Sequence, residues 1–415
     1  MQRPSLWLMI VVLLAGILFL REPRLEKTED VFLRWLLNHA QLSGPNAPLT
    51  VVEVGREQLL GPDQLNQQAA PSVHVGPSAV SPLEFALFLQ AALDFRPAVI
   101  AFENILKWRE RDKDQEQVFI DQAMRAPRLL LGAELTSSPE PDNSGPDIAG
   151  FPHVDGKRGN LVEFTGIGRQ PEEDLRLIST AGFVNLPEDI ADDLHVPLLF
   201  SYRGEVVPSF ALESVLLWLR LAPNDVKIHL GSDIELPEGR RIPITDEGTM
   251  IVAPHAAIKA TRISLNELLL AAEQRDSGEA VAAQFDTLRD QIVLVRTPAN
   301  PLAPPDIFAA TIATIQTNRF VHRISIIFDC VVLAIAAALA VMLQKYSRVD
   351  ITLAAIAFTA GYCLLALGLM SRWQLWLPGV LPLGAIWLLV VFSPMVPRLR
   401  RRRGPSAITV PPPIA

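Results

Sequence analysis

Residues 324–343 read ISIIFDCVVLAIAAALAVML, twenty residues with a single charge, Asp329. The hydrocarbon core of a bilayer needs about 20 apolar residues per helix, within a usable range of about 17–25. This stretch is therefore long enough to cross a membrane. Two further runs lie close behind it, 352–370 and 375–392, both without charge. A fourth, 6–20, holds fifteen uncharged residues at the other end of the chain. The three C-terminal runs predict a tight transmembrane bundle. The first run is short for a span and, behind Arg3, also fits the apolar core of a signal peptide. A cleavable signal wants small residues before the cut, and here Ile17-Leu18-Phe19-Leu20 is followed by Arg21-Glu22-Pro23-Arg24. That favours an uncleaved signal anchor, and either choice exports the segment beyond residue 20.

Charge separates the intervening segment from the rest. The chain of 415 residues is 49% hydrophobic and 20% charged, with a mean hydropathy of +0.26 and a formal net charge of −8. Residues 323–415 hold nine Lys/Arg against Asp329 and Asp350, a net +7, and 1–20 holds only Arg3, so −16 falls on 21–322. An acidic body argues against nucleic-acid binding, which needs a concentrated basic surface. Cytoplasmic loops carry the excess of Lys and Arg. Arg398 and Arg400 to Arg403 come after the last run, and Lys345 and Arg348 sit in 344–351, whereas 371–374 has Arg372 alone. The C-terminus is thus expected inside. Counting back through three spans puts residue 323 outside, and one N-terminal span puts residue 1 inside as well.

The expected organisation is a signal-anchor helix at 1–20, an extracytoplasmic domain at 21–322, a three-helix transmembrane bundle at 323–396 and a basic, Pro-rich cytoplasmic tail at 397–415. The large domain would face the periplasm from the cytoplasmic (inner) membrane, with both termini cytoplasmic. Cys330 and Cys363 are the two cysteines, and both fall in expected spans. The exported domain would then hold together by core packing and not by disulfides.

Within 21–322, short β-rich runs alternate with helical patterns, which predicts a mixed α/β domain. The strand candidates are 49–54, 98–102, 129–131, 196–202, 250–252 and 292–295. The helix candidates are 29–39, 82–95, 118–124, 210–219, 265–272 and 307–317. Two helix starts carry capping boxes, Ser81-Pro82-Leu83-Glu84 and Ser264-Leu265-Asn266-Glu267. The stretches 136–158 and 221–241, rich in Pro, Gly, Asp and Ser, predict surface loops or small insertions.

Motifs for phosphate loops, nucleophile elbows, zinc hydrolases and redox dithiols are absent from the sequence, and the seven histidines are scattered singly. No catalysis, metal or cofactor is expected. Glu188, Asp189, Asp192 and Asp193 read as a helix-start charge bias or a solvated face, and the mixed run 109–116 as a solvated loop before a helix. Arg203 ends a predicted strand, where it is either a turn residue or an anion ligand of a sensor. Asp329 is the pointed case inside a span. Being sixth in its run, it either anchors at the outer interface or pairs helices, or it couples conformation across the membrane. Trp373 and Trp376 fit an aromatic belt, and Pro378 and Pro382 would kink the last span.

Several segments taken in order resemble the CHASE type-2 family, an extracellular sensory domain found beside cyclases and histidine kinases. They begin with Val31-Phe32-Leu33-Arg34-Trp35 and Leu49-Thr50-Val51-Val52-Glu53-Val54, then Phe95-Arg96-Pro97-Ala98-Val99-Ile100-Ala101-Phe102-Glu103. Ala181-Gly182-Phe183-Val184-Asn185-Leu186-Pro187 and Val207-Pro208-Ser209-Phe210-Ala211-Leu212-Glu213 come next. The series closes on Ile263 to Leu269 and Leu288 to Val295 before the last three runs. The resemblance covers most of 21–400 and implies a sensory domain, with Glu103, the acid ending a strand, joining Arg203 as a ligand-binding candidate. Residues 393–415 are too short for a kinase or cyclase. The expectation is therefore a non-catalytic sensory or ligand-binding protein in the lipid bilayer that takes an unknown small-molecule ligand and signals through a separate protein partner in the membrane or cytoplasm. The alternative is a structural or assembly subunit of a cell-envelope complex.

Overall fold

The computed structural model describes residues 23–40, 45–55, 80–108, 112–138, 148–187, 194–297, 306–324 and 348–392, with isolated positions between 327 and 338. The strands that matter here are β1 (Leu49–Glu53), β2 (Val99–Phe102), β3 (Leu129–Thr136), β4 (Gly166–Arg169), β5 (Thr180–Phe183), β6 (Leu199–Tyr202), β7 (Glu205–Pro208), β8 (Thr261–Ser264), β9 (Ile292–Arg296), β10 (His322–Arg323) and β11 (Leu375–Trp376). The helices are α1 (Pro23–His39), α2 (Pro82–Asp94), α3 (Lys113–Ala123), α4 (Phe210–Leu219), α5 (Leu265–Asp276), α6 (Ile307–Thr317), α7 (Arg348–Trp373) and α8 (Val380–Phe392). Two compact units divide the chain. The larger comprises Leu33–Arg323 and Ala366–Trp376, the smaller Met1–Phe32, Ile324–Leu365 and Leu377–Ala415.

A seven-stranded sheet in the order β8-β1-β9-β2-β3-β4, with β5 also on β3, forms the centre of the larger unit. Its pairings are parallel except that of β3 with β4. Strands buried on both faces read as unbroken apolar runs, as in the VIAF of β2 and the IVLV of β9. Successive side chains then face opposite layers. Val52, Ile100, Phe102, Val293 and Val295 pack with Phe85 of α2, Phe119 of α3 and Leu268 of α5. Val51, Val99, Ala101, Ile292 and Leu294 pack with Phe210 of α4 and with Phe308 and Ile312 of α6. The domain is thus the expected α/β fold, with helices covering both faces of a mostly parallel sheet.

Both expected capping boxes form. The Ser81 hydroxyl accepts from Glu84 N at 3.2 Å while the Glu84 carboxylate accepts from Ser81 N at 3.1 Å. Ser264 and Glu267 make the same exchange at 3.2 and 2.8 Å. Because Ser264 also closes β8, that strand runs into α5 without a loop.

Several expectations need correction. The 136–158 and 221–241 stretches contribute to a four-stranded sheet made of His153–Asp155, Lys227–His229, Asp233–Glu235 and Arg241–Pro243. Each of the last three strands buries one apolar residue, Ile228, Ile234 or Ile242, between charged, polar or proline neighbours, too little to register as a period. The expected strand 196–202 is two: His195–Pro197 pairs with Thr249–Ile251, whereas β6 pairs with β7. The run 375–392 starts as β11 and becomes helical only at Val380. Pro378 precedes α8 and Pro382 lies in its first turn, where a missing N–H leaves no intrahelical bond unmade, so neither breaks the helix.

Among the described residues one helix, Val349–Trp373, is long and apolar enough to cross a membrane. The run 6–20 and most of 324–343, Asp329 included, lie outside the described residues, so the expected set of four spans is not established. Trp376 is buried under the Arg323 guanidinium, 5.0 Å above its ring, and is no belt residue; Trp373 is 62% exposed. In the smaller unit, the buried Glu29 of α1 accepts from Gly379 N and Val380 N at 2.8 Å each. A carboxylate thereby satisfies two amides at the start of α8. Gly379 is required there, since a Cβ would come within 2.6 Å of the Phe32 ring.

Candidate functional site

Parallel strands all end at one edge of their sheet, and in open α/β sheets ligands bind outside those carboxyl ends. At that edge Glu53 closes β1, Glu103 follows β2 and Arg296 closes β9, while Arg262 comes from β8 and Asp306 precedes α6. The five form an alternating chain of charges. Arg296 Nε lies 3.5 Å from Glu103 Oε1, and its Nη1 donates to Asp306 Oδ1. Arg262 Nη2 lies 2.7 Å from the same Asp306 oxygen, and its Nη1 3.7 Å from Glu53 Oε1. Side-chain exposure rises from 5% at Glu103 to 42% at Arg262, giving the chain a dry floor and a wet mouth.

Burial explains the pairing. A carboxylate as enclosed as Glu103 needs a close cation, because an uncompensated buried charge is strongly destabilising. Asp306 shows a second constraint: it stands at φ +69° and its side chain caps no amide of α6. A left-handed conformation in a residue other than glycine costs about 1 kcal/mol, and here it brings the carboxylate between two arginines. Strain of this kind clusters at binding and switch sites.

The floor is shaped by Gly132 of β3. A Cβ there would approach the Asn104 and Glu103 carbonyl oxygens to 3.1 and 3.2 Å, so a larger residue would push the backbone after β2 outward by a few tenths of an ångström. Asn104 Nδ2 donates to Thr297 Oγ1 at 2.6 Å, and Asn104 Oδ1 is buried without a partner among the described residues. On the other side of the sheet's edge, Ser209 bridges to Phe183 at the end of β5 and starts α4. In the first turn of α4, burial pushes the Glu213 carboxyl up to about 7.

The arrangement suits recognition of a small polar ligand. An entering charged group can exchange with one member of the chain while the neighbours remain paired. The buried Glu103 and the half-buried Asp306 both already face arginine. Among the described residues no three His, Cys, Asp or Glu side chains are placed to hold a metal ion.

Of the residues singled out in the sequence, Glu103 is the floor of this cluster. Arg203 belongs to a separate three-stranded sheet, in the tight turn joining β6 to β7. Its φ is +51° and its Nε donates to Thr165 O at 3.1 Å, with the guanidinium over the Tyr202 ring. Asp329 and the acids at 188–193 lie outside the described residues, as do 109–111, while Asp112 caps α3. Arg262, Arg296 and Asp306 were not singled out; the readable signal was a charge closing each of two buried runs, Glu103 after VIAF and Arg296 after IVLV.

The model of the CHASE2 domain family matches residues 6–343, well over half of the chain. The chain belongs to that family, whose members are extracellular sensory domains. No curated protein and no solved structure matches it.

Proposed function

With CHASE2 membership as the premise, we propose that this protein is a membrane-anchored sensor whose extracytoplasmic domain binds a small polar ligand at the carboxyl edge of its sheet. It does so without catalysis and passes the bound state through its membrane helices to a separate protein partner. The termini lie in the cytoplasm in this reading. One observation carries it: the charge chain Glu103–Arg296–Asp306–Arg262–Glu53, running from a buried floor to an exposed mouth, with Asp306 held in a strained backbone. A packed scaffold gains little from five charged groups at one edge, since replacing buried ion pairs by apolar residues is often neutral or stabilising. A ligand site needs them.

The test is thermal unfolding of the full chain in detergent, screened against fractionated small polar compounds from the medium or periplasm. At least one fraction should raise the wild-type midpoint and leave an Arg262→Gln variant unmoved. No shift from any fraction, or equal shifts in both proteins, removes ligand binding from this edge. Crosslinking in cells addresses the partner: recovery of a stoichiometric envelope complex and no signalling protein would replace the sensor by an assembly subunit.

A further inference from the structure

The opposite side of the larger unit carries a second feature. After α6 ends at Thr317 the chain runs through Arg319 and Val321 to β10, and Gln374, next to the last residue of α7, returns beside it. A cleft there is lined by His255, Lys259, Arg319, Thr314, Val321 and Gln374, among others, and none of its eleven lining residues is acidic. Lys259 and Arg319 make no ion pair or side-chain hydrogen bond among the described residues. The Thr314 hydroxyl is already spent on Ala310 O.

The charge pattern is local. Segments 253–260, 317–323 and 371–376 contain Lys259, Arg319, Arg323 and Arg372 and no Asp or Glu, although 21–322 as a whole carries −16. Ile258, beside Lys259, is 73% exposed and Trp373, at the end of α7, is 62% exposed. Exposed apolar and Trp side chains next to cations are what a bilayer's headgroup region accepts.

We propose that this cleft binds the phosphate of an anionic phospholipid headgroup, with Lys259 and Arg319 as its ligands and Ile258 and Trp373 as neighbouring anchors in the lipid. Donors without protein partners among the described residues, in an acid-free cleft, suit a phosphate, and Gln374, the residue after α7, belongs to the cleft lining. The proposal rests on α7 crossing the bilayer, and is independent of what the carboxyl edge binds.

The full chain, purified in neutral detergent, is incubated with equal amounts of phosphatidylglycerol and phosphatidylcholine of matched acyl chains and examined by native mass spectrometry. Phosphatidylglycerol adducts should exceed phosphatidylcholine adducts roughly tenfold, and the Lys259→Gln/Arg319→Gln variant should bring the ratio close to one with an unchanged circular dichroism spectrum. Equal adducts on the wild type, or a preference surviving in the variant, overturns the site. Millimolar inorganic phosphate is added in a parallel arm; abolition of the adducts makes this a free-anion site and overturns the lipid assignment, whereas persistence supports it. If the variant misfolds, raised salt on the wild type decides, because a preference insensitive to ionic strength contradicts an electrostatic site. Carbonate extraction of membranes separates the two failures: a protein that is extracted yet keeps its phosphatidylglycerol preference loses the spanning helix and keeps the site.

Discussion

Arg296 is the residue on which the carboxyl-edge cluster turns, because it touches both Glu103 and Asp306. Replacing it by Met leaves Glu103 enclosed without its cation, and the expected cost is about 2–4 kcal/mol of unfolding free energy. Adding Glu103→Gln should recover part of that loss. A double-mutant cycle in urea that found the two effects additive would show no coupling between them. Glu213 gives a prediction with a sign. Its carboxyl titrates near 7 in the fold against an ordinary 4.5, so between those values the folded state binds more protons than the unfolded one. Its contribution is complete below the lower value and is lost as pH rises through the window. Glu213→Gln should therefore flatten stability between pH 4.5 and 7, and at alkaline pH should exceed the wild type by about 1–3 kcal/mol. Denaturation midpoints at acidic and alkaline pH check this, and parallel wild-type and variant curves would contradict it. Glu103 was legible through the family resemblance, as the acid ending a strand. Its partnership with Arg296 was not, since 193 residues separate them and only the order β9-β2 makes them neighbours. Asp306 was less legible still, because nothing in its sequence context announces a positive φ.

At the scale of elements, the local signals worked where one segment supplied its own partners. The Ser81 and Ser264 boxes are closed within four residues, and both formed. Ser264→Ala should cost about 1 kcal/mol, seen as a lower urea midpoint at an unchanged slope. The cost matters because β8 and α5 share that residue without a loop to absorb fraying. Fully buried strands were equally plain, since β1, β2 and β9 carry apolar residues on both faces. The small sheet built on Ile228, Ile234 and Ile242 was not, because its strands hold at most one buried side chain each and depend on pairing across the chain for their existence. Strand direction was also beyond the sequence pattern. Whether the apolar runs pair parallel is decided by the helices between them, and the carboxyl-edge site exists only because they do.

At the scale of the whole molecule, the pairing of β10 with β11 constrains the path the chain can take. His322 pairs with Leu375 and Arg323 with Trp376, and the Arg323 guanidinium covers the Trp376 ring. Both strands belong to the larger unit, so the chain leaves the domain near residue 323 and is back beside it near residue 375. On the membrane-anchored reading proposed above, it crosses the bilayer an even number of times in between. With α7 as one crossing on that reading, the charge-poor sequence 324–343 has the length for another. Loop counting in the sequence expects 323 and 371–374 on one outer side, which cysteine labelling can test. Single cysteines introduced after replacing Cys330 and Cys363 by Ala test the path. In intact spheroplasts a membrane-impermeant maleimide should label Ser277→Cys, on the exposed end of α5, without permeabilisation. Arg348→Cys, the first residue of α7, should label only after the membrane is opened. Labelling of both from outside would mean that α7 does not cross, and the phosphate cleft would then face solvent and not lipid.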